Sequence, residues 1–493
     1  MKRLALLALA VGAVLAGCGD QSGTPTETRT PSLAAGAGGT IGINLVLKGP
    51  ATDAQRAQLN SIGTILDELP EINGIHMSAA KGDLATIRKL SFVAAAGEDG
   101  EVAAAPITPV EVTDFTGGIN AWDQDAIDVT DFGSGRVLPT FTGEGVHVAI
   151  LDTGLLPTWP AYFPADRIRA DLAKSFGGGG SLAATVSEQP DLWEKDVNSH
   201  GTHVTSTVLG YHFTSPTFNA DFNGVAPKAN VIPVKVLGQG GFGFFSVVSH
   251  GILYVAGLKA PGGPLAGSPV VINMSLGAPV PDPLMQAAID FAERQGVIVV
   301  AAAGNAGNAG MDWPGAFPEV ISAAAAGWVG QWRNCATNPN PLLVGRWWRA
   351  CDVPEAGSFR KLSDFVQQFY IAPFSSRSVA ANQDLDVAAP GAWVVGPFQT
   401  QQGHTSYFFL SGTSMATPHV AGIVALMAQK KPSLTPAEAE TILEGAAIAL
   451  GKAGTTRSRT ITNPDGSTAT VSWGDNAEGA GLITADAALA ATP

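Results

Sequence analysis

Four apolar runs constrain this chain more than any other feature. GVHVAIL (145–151), NVIPVKVL (230–237), PVVINMSL (269–276) and GVIVVAAA (296–303) are rich in β-branched residues and bounded by Gly or Pro. Between them, FSVVSHGILYVAGLK (245–259) and PLMQAAIDFAERQG (283–296) carry helical spacing. A strand that is apolar on both faces must be covered on both, and strands joined by helices run parallel. The pattern therefore predicts an α/β fold, a doubly wound parallel sheet with flanking helices. There is no internal repeat.

Sheets of this kind bind ligands beyond the carboxyl ends of their strands. Here GVHVAIL ends in Asp152-Thr153-Gly154, PVVINM in Ser275-Leu276-Gly277, and GVIVVAAAG in Asn305. Any one of these reads as a turn residue; three together converge on one edge. Two more polar stretches open helices. NSHGTHV (198–204) sets His200 and His203 three residues apart where an apolar helix begins, and SGTSMATPH (411–419) leads into VAGIVALMAQ. Ser414 sits at the start of that helix, where Pro418 fits the first turn. A serine there serves as an N-cap, but it also lies beside free backbone N–H groups that favour developing negative charge.

DTG after a strand, HGTHV opening a helix, AAGN after another strand and GTSMATPHVAG opening a second helix resemble, in chain order, the subtilisin-like serine proteases. The resemblance spans about Ile119 to Leu489, within an expected peptidase domain of 119–493, and implies a Ser/His/Asp endopeptidase. Ser414 would attack the scissile carbonyl, His200 would take and return the proton, and Asp152 would orient the imidazole. Asn305 would donate to the oxyanion together with the Ser414 N–H. Gly241, Phe242 and Gly243, with Ser275, Leu276 and Gly277, would clamp an extended peptide substrate by β-pairing. Ala303 and Gly304 would wall the primary specificity pocket and Phe245 would line a more distant apolar one. Ala306 adds no charge, so the expected preference is for apolar or aromatic residues before the cleaved bond. His203 and His419 are expected to be structural. Met415, beside the nucleophile, makes inactivation by peroxide an expectation.

Rival chemistries fail on order and spacing. An α/β-hydrolase needs a histidine well after the serine, whereas only His419 follows Ser414. No H-E-x-x-H motif is present for a metalloprotease. No cofactor is expected for the chemistry. The segment 210–227 departs from the loop that binds calcium in many relatives; Asp221, Asn219 and Asn223 carry oxygen ligands, but loop-cap roles are expected and the metal residues stay unknown. A net charge of −14 with no basic run argues against a nucleic-acid partner. The function of a different class left open is a catalytically inactive relative acting as a binding lipoprotein.

The N-terminal region has its own logic. Lys2 and Arg3 precede LALLALAVGAVLA, which suits residues 1–17 as a signal peptide, so the chain is expected to be exported. Leu15-Ala16-Gly17-Cys18 resembles the bacterial lipobox, which implies lipidation of Cys18 and membrane attachment through that lipid alone. Cys335 and Cys351 then remain as one disulfide pair in an oxidising compartment, worth about 3 kcal/mol by loop closure. They lie in a Cys/Trp-rich insertion at about 328–370. Residues 18–39 form a Gly/Ser/Thr/Pro-rich tether.

In the 40–104 segment, IGINLVL is strand-like, DAQRAQLNSIGTILDEL has helical spacing, GIHMSAA alternates, DLATIRKL is a short helix and SFVAAAGEDGEV is a closing strand. This small α+β unit resembles the family's inhibitory propeptide, an intramolecular inhibitor separated from the peptidase by a processing linker at 105–118. Cutting there would leave the lipid on the propeptide and release a periplasmic or extracellular protease.

Overall fold

The computed structural model describes residues 39–104, 107–112, 122–131, 135, 136, 138, 140–180, 184–215, 218–332 and 365–493. The expected signal peptide at 1–17, residues 18–38 of the expected tether with Cys18, and Cys335 and Cys351 lie outside the described residues.

The N-terminal unit runs β1 (Thr40–Leu47), α1 (Asp53–Asn60), β2 (Thr64–Leu69), β3 (Gly74–Ala80), α2 (Leu84–Ile87) and β4 (Val93–Glu98). Its sheet has the order β2-β3-β1-β4 and is antiparallel throughout. Thr52 and Gln55 close a capping box at the start of α1. The helical reading of 53–69 is corrected here: α1 stops at Asn60, and TILDEL is strand β2. Ile65, Leu66 and Leu69 fit a helical face, but Gly63 and the turn before it let the chain reverse and pair with β3. Ile41, Ile43, Leu45, Leu59, Ile75 and Met77 form a core of their own.

The closing strand also divides. After β4 the chain leaves this sheet as β5 (Glu101–Ala103) and pairs elsewhere. Then β6 (Ile107–Glu111) joins a three-stranded sheet of the larger unit, so the expected linker contributes ordered strand. Helix α3 (Trp122–Ala126) and the short pair β7 (Thr130–Asp131) and β8 (Gly135–Arg136) follow.

The main sheet takes β9 (His147–Asp152), β10 (Lys174–Gly179) and β11 (Ala184–Glu188) before helix α4 (His200–Leu209). A hairpin of β12 (Gly210–Ser215) and β13 (Phe218–Asn223) comes next, then β14 (Asn230–Lys235), β15 (Phe242–Phe244), α5 (Phe245–Lys259), β16 (Val270–Met274), α6 (Pro283–Arg294) and β17 (Val297–Ala302). The chain continues through β18 (Ile321–Trp328), β19 (Phe369–Ile371), β20 (Val387–Pro390), β21 (Val394–Gln401), β22 (His404–Ser411) and α7 (Thr413–Lys430). It ends with α8 (Pro436–Ala446), the hairpin β23 (Arg457–Thr462) and β24 (Thr468–Trp473), and α9 (Ala485–Ala491).

Nine strands build the sheet in the order β11-β10-β14-β9-β16-β17-β18-β19, with β20 also on β18. The centre is parallel, as expected, while the β10–β11 and β18–β19 pairs are antiparallel, so the sheet is mixed. All residues of β9, β16 and β17 are buried. At about 1.5–3 kcal/mol per large apolar side chain, that layer is the main source of the driving force. Helix α7 is buried along nearly its whole length, since its surface is apolar all round. The Trp-rich insertion leaves the sheet between Trp328 and Phe369, which are paired, and 333–364 lie outside the described residues.

The small sheet packs on α6 through β1, β3 and β4. Two helix N-termini meet it. Asp99 accepts from Ser246 N–H at 2.9 Å and Ser246 Oγ at 2.7 Å at the start of α5, and Asp282 Oδ1 accepts from Leu284 and Met285 N–H, both at 2.9 Å, at the start of α6. Asn44 of β1 bridges them, donating 3.0 Å bonds to Asp99 Oδ1 and Asp282 Oδ2. Burial raises the Asp282 carboxyl to about 7.

Candidate active site

Asp152 is the last residue of β9, and His200 is the first of α4. His200 Nδ1 lies 2.9 Å from each Asp152 carboxylate oxygen, and the Thr153 N–H donates to Oδ1 at 2.7 Å. Both side chains are fully buried. His200 Nε2 has no hydrogen-bond partner among the described residues. An imidazole held by a carboxylate on one nitrogen and open on the other is set up to accept a proton.

The turn that delivers His200 was not foreseen in detail. Ser199 adopts φ 71°, a left-handed conformation rare outside glycine and costing about 1–3 kcal/mol. Asp196 holds it: Oδ2 accepts from Ser199 N–H at 2.7 Å and from Thr153 Oγ1 at 2.7 Å. Thr153 Oγ1 in turn accepts from Gly201 N–H at 2.9 Å, tying the end of β9 to the start of α4. The buried Lys235 donates to the carbonyls of Thr153 and Leu237 and lies 3.9 Å from Asp196.

Ser414 is the second residue of α7, and α4 packs against that helix. Its Oγ donates to the Ser275 carbonyl at 3.1 Å. Pro418 lies four residues further on and has no N–H, so the Ser414 carbonyl loses its helical donor. Ser275 Oγ replaces it at 2.8 Å, itself accepting from Asn273 Nδ2 at 3.0 Å. The proline was legible in the sequence; the relay through Ser275 and Asn273 was not.

Asn305 follows β17. Its Oδ1 accepts from Thr413 N–H at 2.9 Å and Thr413 Oγ1 at 3.1 Å, which fixes the amide and turns Nδ2 the other way. A Cβ built on Gly412 would stand 3.6 Å from both Asn305 Nδ2 and Ser414 N, so these two donors border one common space. Met415 is fully buried and its Sδ adjoins that space, 3.7 Å from the same point.

The expected clamp holds the chain's own β5. Ala103 and Gly277 exchange both backbone bonds at 3.0 Å, Gly243 pairs with Val102 in register, and the Gly241 carbonyl accepts from Ala104 N–H at 2.9 Å. The buried Phe245 donates its N–H to the Gly100 carbonyl at 3.1 Å. Leu276 and Ala303 are buried, and the Gly304 N–H donates to Thr413 Oγ1 at 3.1 Å.

The other two histidines of these helices differ from His200. His203 Nε2 donates to the Val394 carbonyl at 3.2 Å, and burial with the neighbouring His200 lowers its pKa to about 3, so it stays neutral. His419 engages both nitrogens, with the Met415 carbonyl at 2.8 Å and Asp123 at 3.0 Å.

Residues 210–215 and 218–223 are paired antiparallel strands, which corrects the loop-cap expectation for Asn219, Asp221 and Asn223. They lie on β13, and Asp221 pairs with His212 at 2.8 Å. Among the described residues, Asp384, Asp386 and Glu440 form the one acidic trio with oxygens within 4.8 Å of one another. Asp386 already accepts from Ser322 N–H at 2.6 Å and Oγ at 2.9 Å. No helix among the described residues is long and apolar enough to cross a membrane.

Comparison with known proteins identifies the family of this chain. The profile described as the subtilase family matches residues 143–475. Thermitase from Thermoactinomyces vulgaris is 31% identical over 288 residues, covering 58% of this chain and 76% of thermitase. Subtilisin Savinase from Lederbergia lenta is 31% identical over 310 residues, covering 63% of this chain and 86% of that protein. In structure, fervidolysin from Fervidobacterium pennivorans, described as a keratinolytic enzyme related to subtilisin, aligns over 93% of this chain and 62% of its own. Its TM-score is 0.60 at 21% identity, a likeness of fold. With two thirds of its length matched by that profile, the chain belongs to the subtilase family of serine endopeptidases.

Proposed function

We propose that the chain is an exported, self-processing zymogen of a serine endopeptidase with the triad Asp152, His200 and Ser414. The observation that carries this is the buried Asp152–His200 pair whose Nε2 is left open. Rotation of Ser414 about χ1 exchanges the Ser275 carbonyl for Nε2; His200 then takes the hydroxyl proton as Oγ attacks the peptide carbonyl. Asp152 holds the Nδ1 proton and stabilises the imidazolium. The tetrahedral oxyanion is received by Asn305 Nδ2 and the Ser414 N–H at the head of α7, where the helix dipole adds to both. His200 returns its proton to the leaving amine, and a water molecule repeats the sequence on the acyl-enzyme. Every group used belongs to the chain, and no cofactor is assigned.

Residues 40–104 act as the propeptide. The support is β5, which pairs with β15 and Gly277 as an extended peptide does and leads directly into residues 105 and 106. Processing in this stretch, with lipid on Cys18 of the precursor, leaves the anchor on the propeptide and frees the protease.

The test is labelling by a fluorophosphonate probe. Processed wild type is expected to label and hydrolyse a protein substrate, and Ser414→Ala to do neither. Absence of labelling in folded, propeptide-free wild type overturns the peptidase reading. N-terminal sequencing of the active species tests the release: a start near residue 105 supports it, and a start at acylated Cys18 overturns it.

A further inference from the structure

The two backbone segments that flank the cleft, 275–277 and 303–305, are joined from beneath by Asp312 and Trp313. Asp312 N–H donates to the Ala303 carbonyl at 2.9 Å, and Trp313 exchanges bonds of 2.8 and 2.9 Å with Ala278. This lays Asp312 across the floor between both walls. A Cβ on Gly304 would stand 2.6 Å from Asp312 Oδ2; one on Gly277 would stand 2.7 Å from Asp312 Cβ and 3.4 Å from Oδ2. Gly304, at φ 104°, takes a conformation that excludes other residues in any case.

The carboxyl group makes no hydrogen bond and no ion pair among the described residues, and burial alone raises it to about 6. The charged residue of the adjoining 372–377 turn, Arg377, spends its guanidinium on the carbonyls of Ala372, Pro373 and Ser375. A partly buried carboxylate with no donor is costly and gains from an arriving cation. Gly304 directly precedes Asn305, the proposed oxyanion donor. A side chain that enters between these walls therefore belongs to the residue whose carbonyl rests on Asn305, the one before the scissile bond.

We propose that Asp312 is the specificity-determining residue of this pocket and selects lysine or arginine before the scissile bond, a reading that rests on the peptidase function above. The apolar preference expected from Ala303, Gly304 and Ala306 omits this group, seven residues past Asn305 in sequence. The chain's own Ala103-Ala104-Ala105 offers it no cation. Within one molecule the high effective concentration makes that selectivity unnecessary for processing, and the carboxylate stays unpaired until a basic substrate competes for the cleft.

The test uses processed full-length enzyme and a series of peptide anilides that differ only in the residue before the scissile bond. At pH 8, kcat/KM for Arg and Lys is expected to exceed that for Phe by at least ~10-fold, and the Arg/Phe ratio to fall by at least ~30-fold in Asp312→Asn. In wild type the ratio rises with pH through about 6 as the carboxyl ionises, while the triad's own titration cancels between the two substrates. Benzamidine is expected to inhibit wild type competitively, which supplies the readout if Asp312→Asn does not fold. A preference for Phe or Leu with no benzamidine inhibition overturns this proposal and leaves the peptidase intact. Failure to hydrolyse any member, together with failure of fluorophosphonate labelling, overturns both.

Discussion

The Asp–His pairs on helices α4 and α7 are both buried, and they differ in one atom's surroundings. In the Asp152–His200 pair, Nδ1 faces the carboxylate and Nε2 faces nothing that hydrogen-bonds it. In the Asp123–His419 pair, Nε2 meets the carboxylate at 3.0 Å and Nδ1 meets the Met415 carbonyl at 2.8 Å. Residue types and burial are the same. Between these two pairs, what separates the proposed proton carrier from the strut is whether the second nitrogen has already been satisfied.

Asparagine at each acid breaks the comparison if it is wrong. Asp152→Asn is expected to lower kcat by ~10⁴-fold with the melting temperature nearly unchanged, because the imidazole loses its tautomer and its counter-charge. Asp123→Asn is expected to cost about 1–3 kcal/mol of stability, read by denaturant unfolding, with kcat within about tenfold of wild type. Large kinetic damage from the second and none from the first would reverse the assignment.

A third site with buried acids sharpens the contrast, since Asp99 and Asp282 share Asn44 where the N-terminal sheet meets α5 and α6. Burial holds the Asp282 carboxyl near 7, above its ordinary value, so on the proposed zymogen reading the bound complex keeps a proton on Asp282 that the separated parts release. Binding is therefore strongest at low pH and weakens as pH rises toward 7, by up to ~10-fold per pH unit for one such group. His76, whose Nε2 lies 3.4 Å from Asp99 Oδ2, faces the same cluster. Size-exclusion chromatography of the cut complex at pH 5 and pH 8 reads this as retention against release, and Asp282→Asn should flatten the dependence.

The smallest effect concerns the relay beneath the nucleophile. Ser275→Ala removes the donor to the Ser414 carbonyl and is expected to lower kcat/KM by ~5-fold, about the worth of one hydrogen bond. An unchanged rate would mean that the carbonyl freed by Pro418 needs no partner.

Much of this was legible in the sequence because strand ends and helix starts are local signals. Asp152, Asn305, His200 and Ser414 all lie at such ends, and the strands that carry them are continuous apolar runs. Helix α5 has the residue limits that its spacing indicated. Segment 64–69 was misread because apolar residues at 65, 66 and 69 satisfy a helical face as well as a strand, and pairing with β3 decides between them. Asp312 was passed over for a different reason. Nothing within its own segment shows that the Trp313–Ala278 bridge will lay it between two walls built from residues up to thirty-seven positions earlier. Pro418 was seen, yet its consequence lies in Ser275, on another strand end.

Strand β5 is gripped along one edge by β15 and along the other by Gly277, while the chain just before it belongs to the small sheet and the chain just after it, as β6, belongs to the β22 sheet. On the proposed reading, a segment clamped this way is presented to Ser414 by its own molecule. On the proposed mechanism the first cut is therefore first order: its half-time does not depend on how much precursor is present. Dilution leaves maturation untouched and acts only afterwards, when two separate pieces must part.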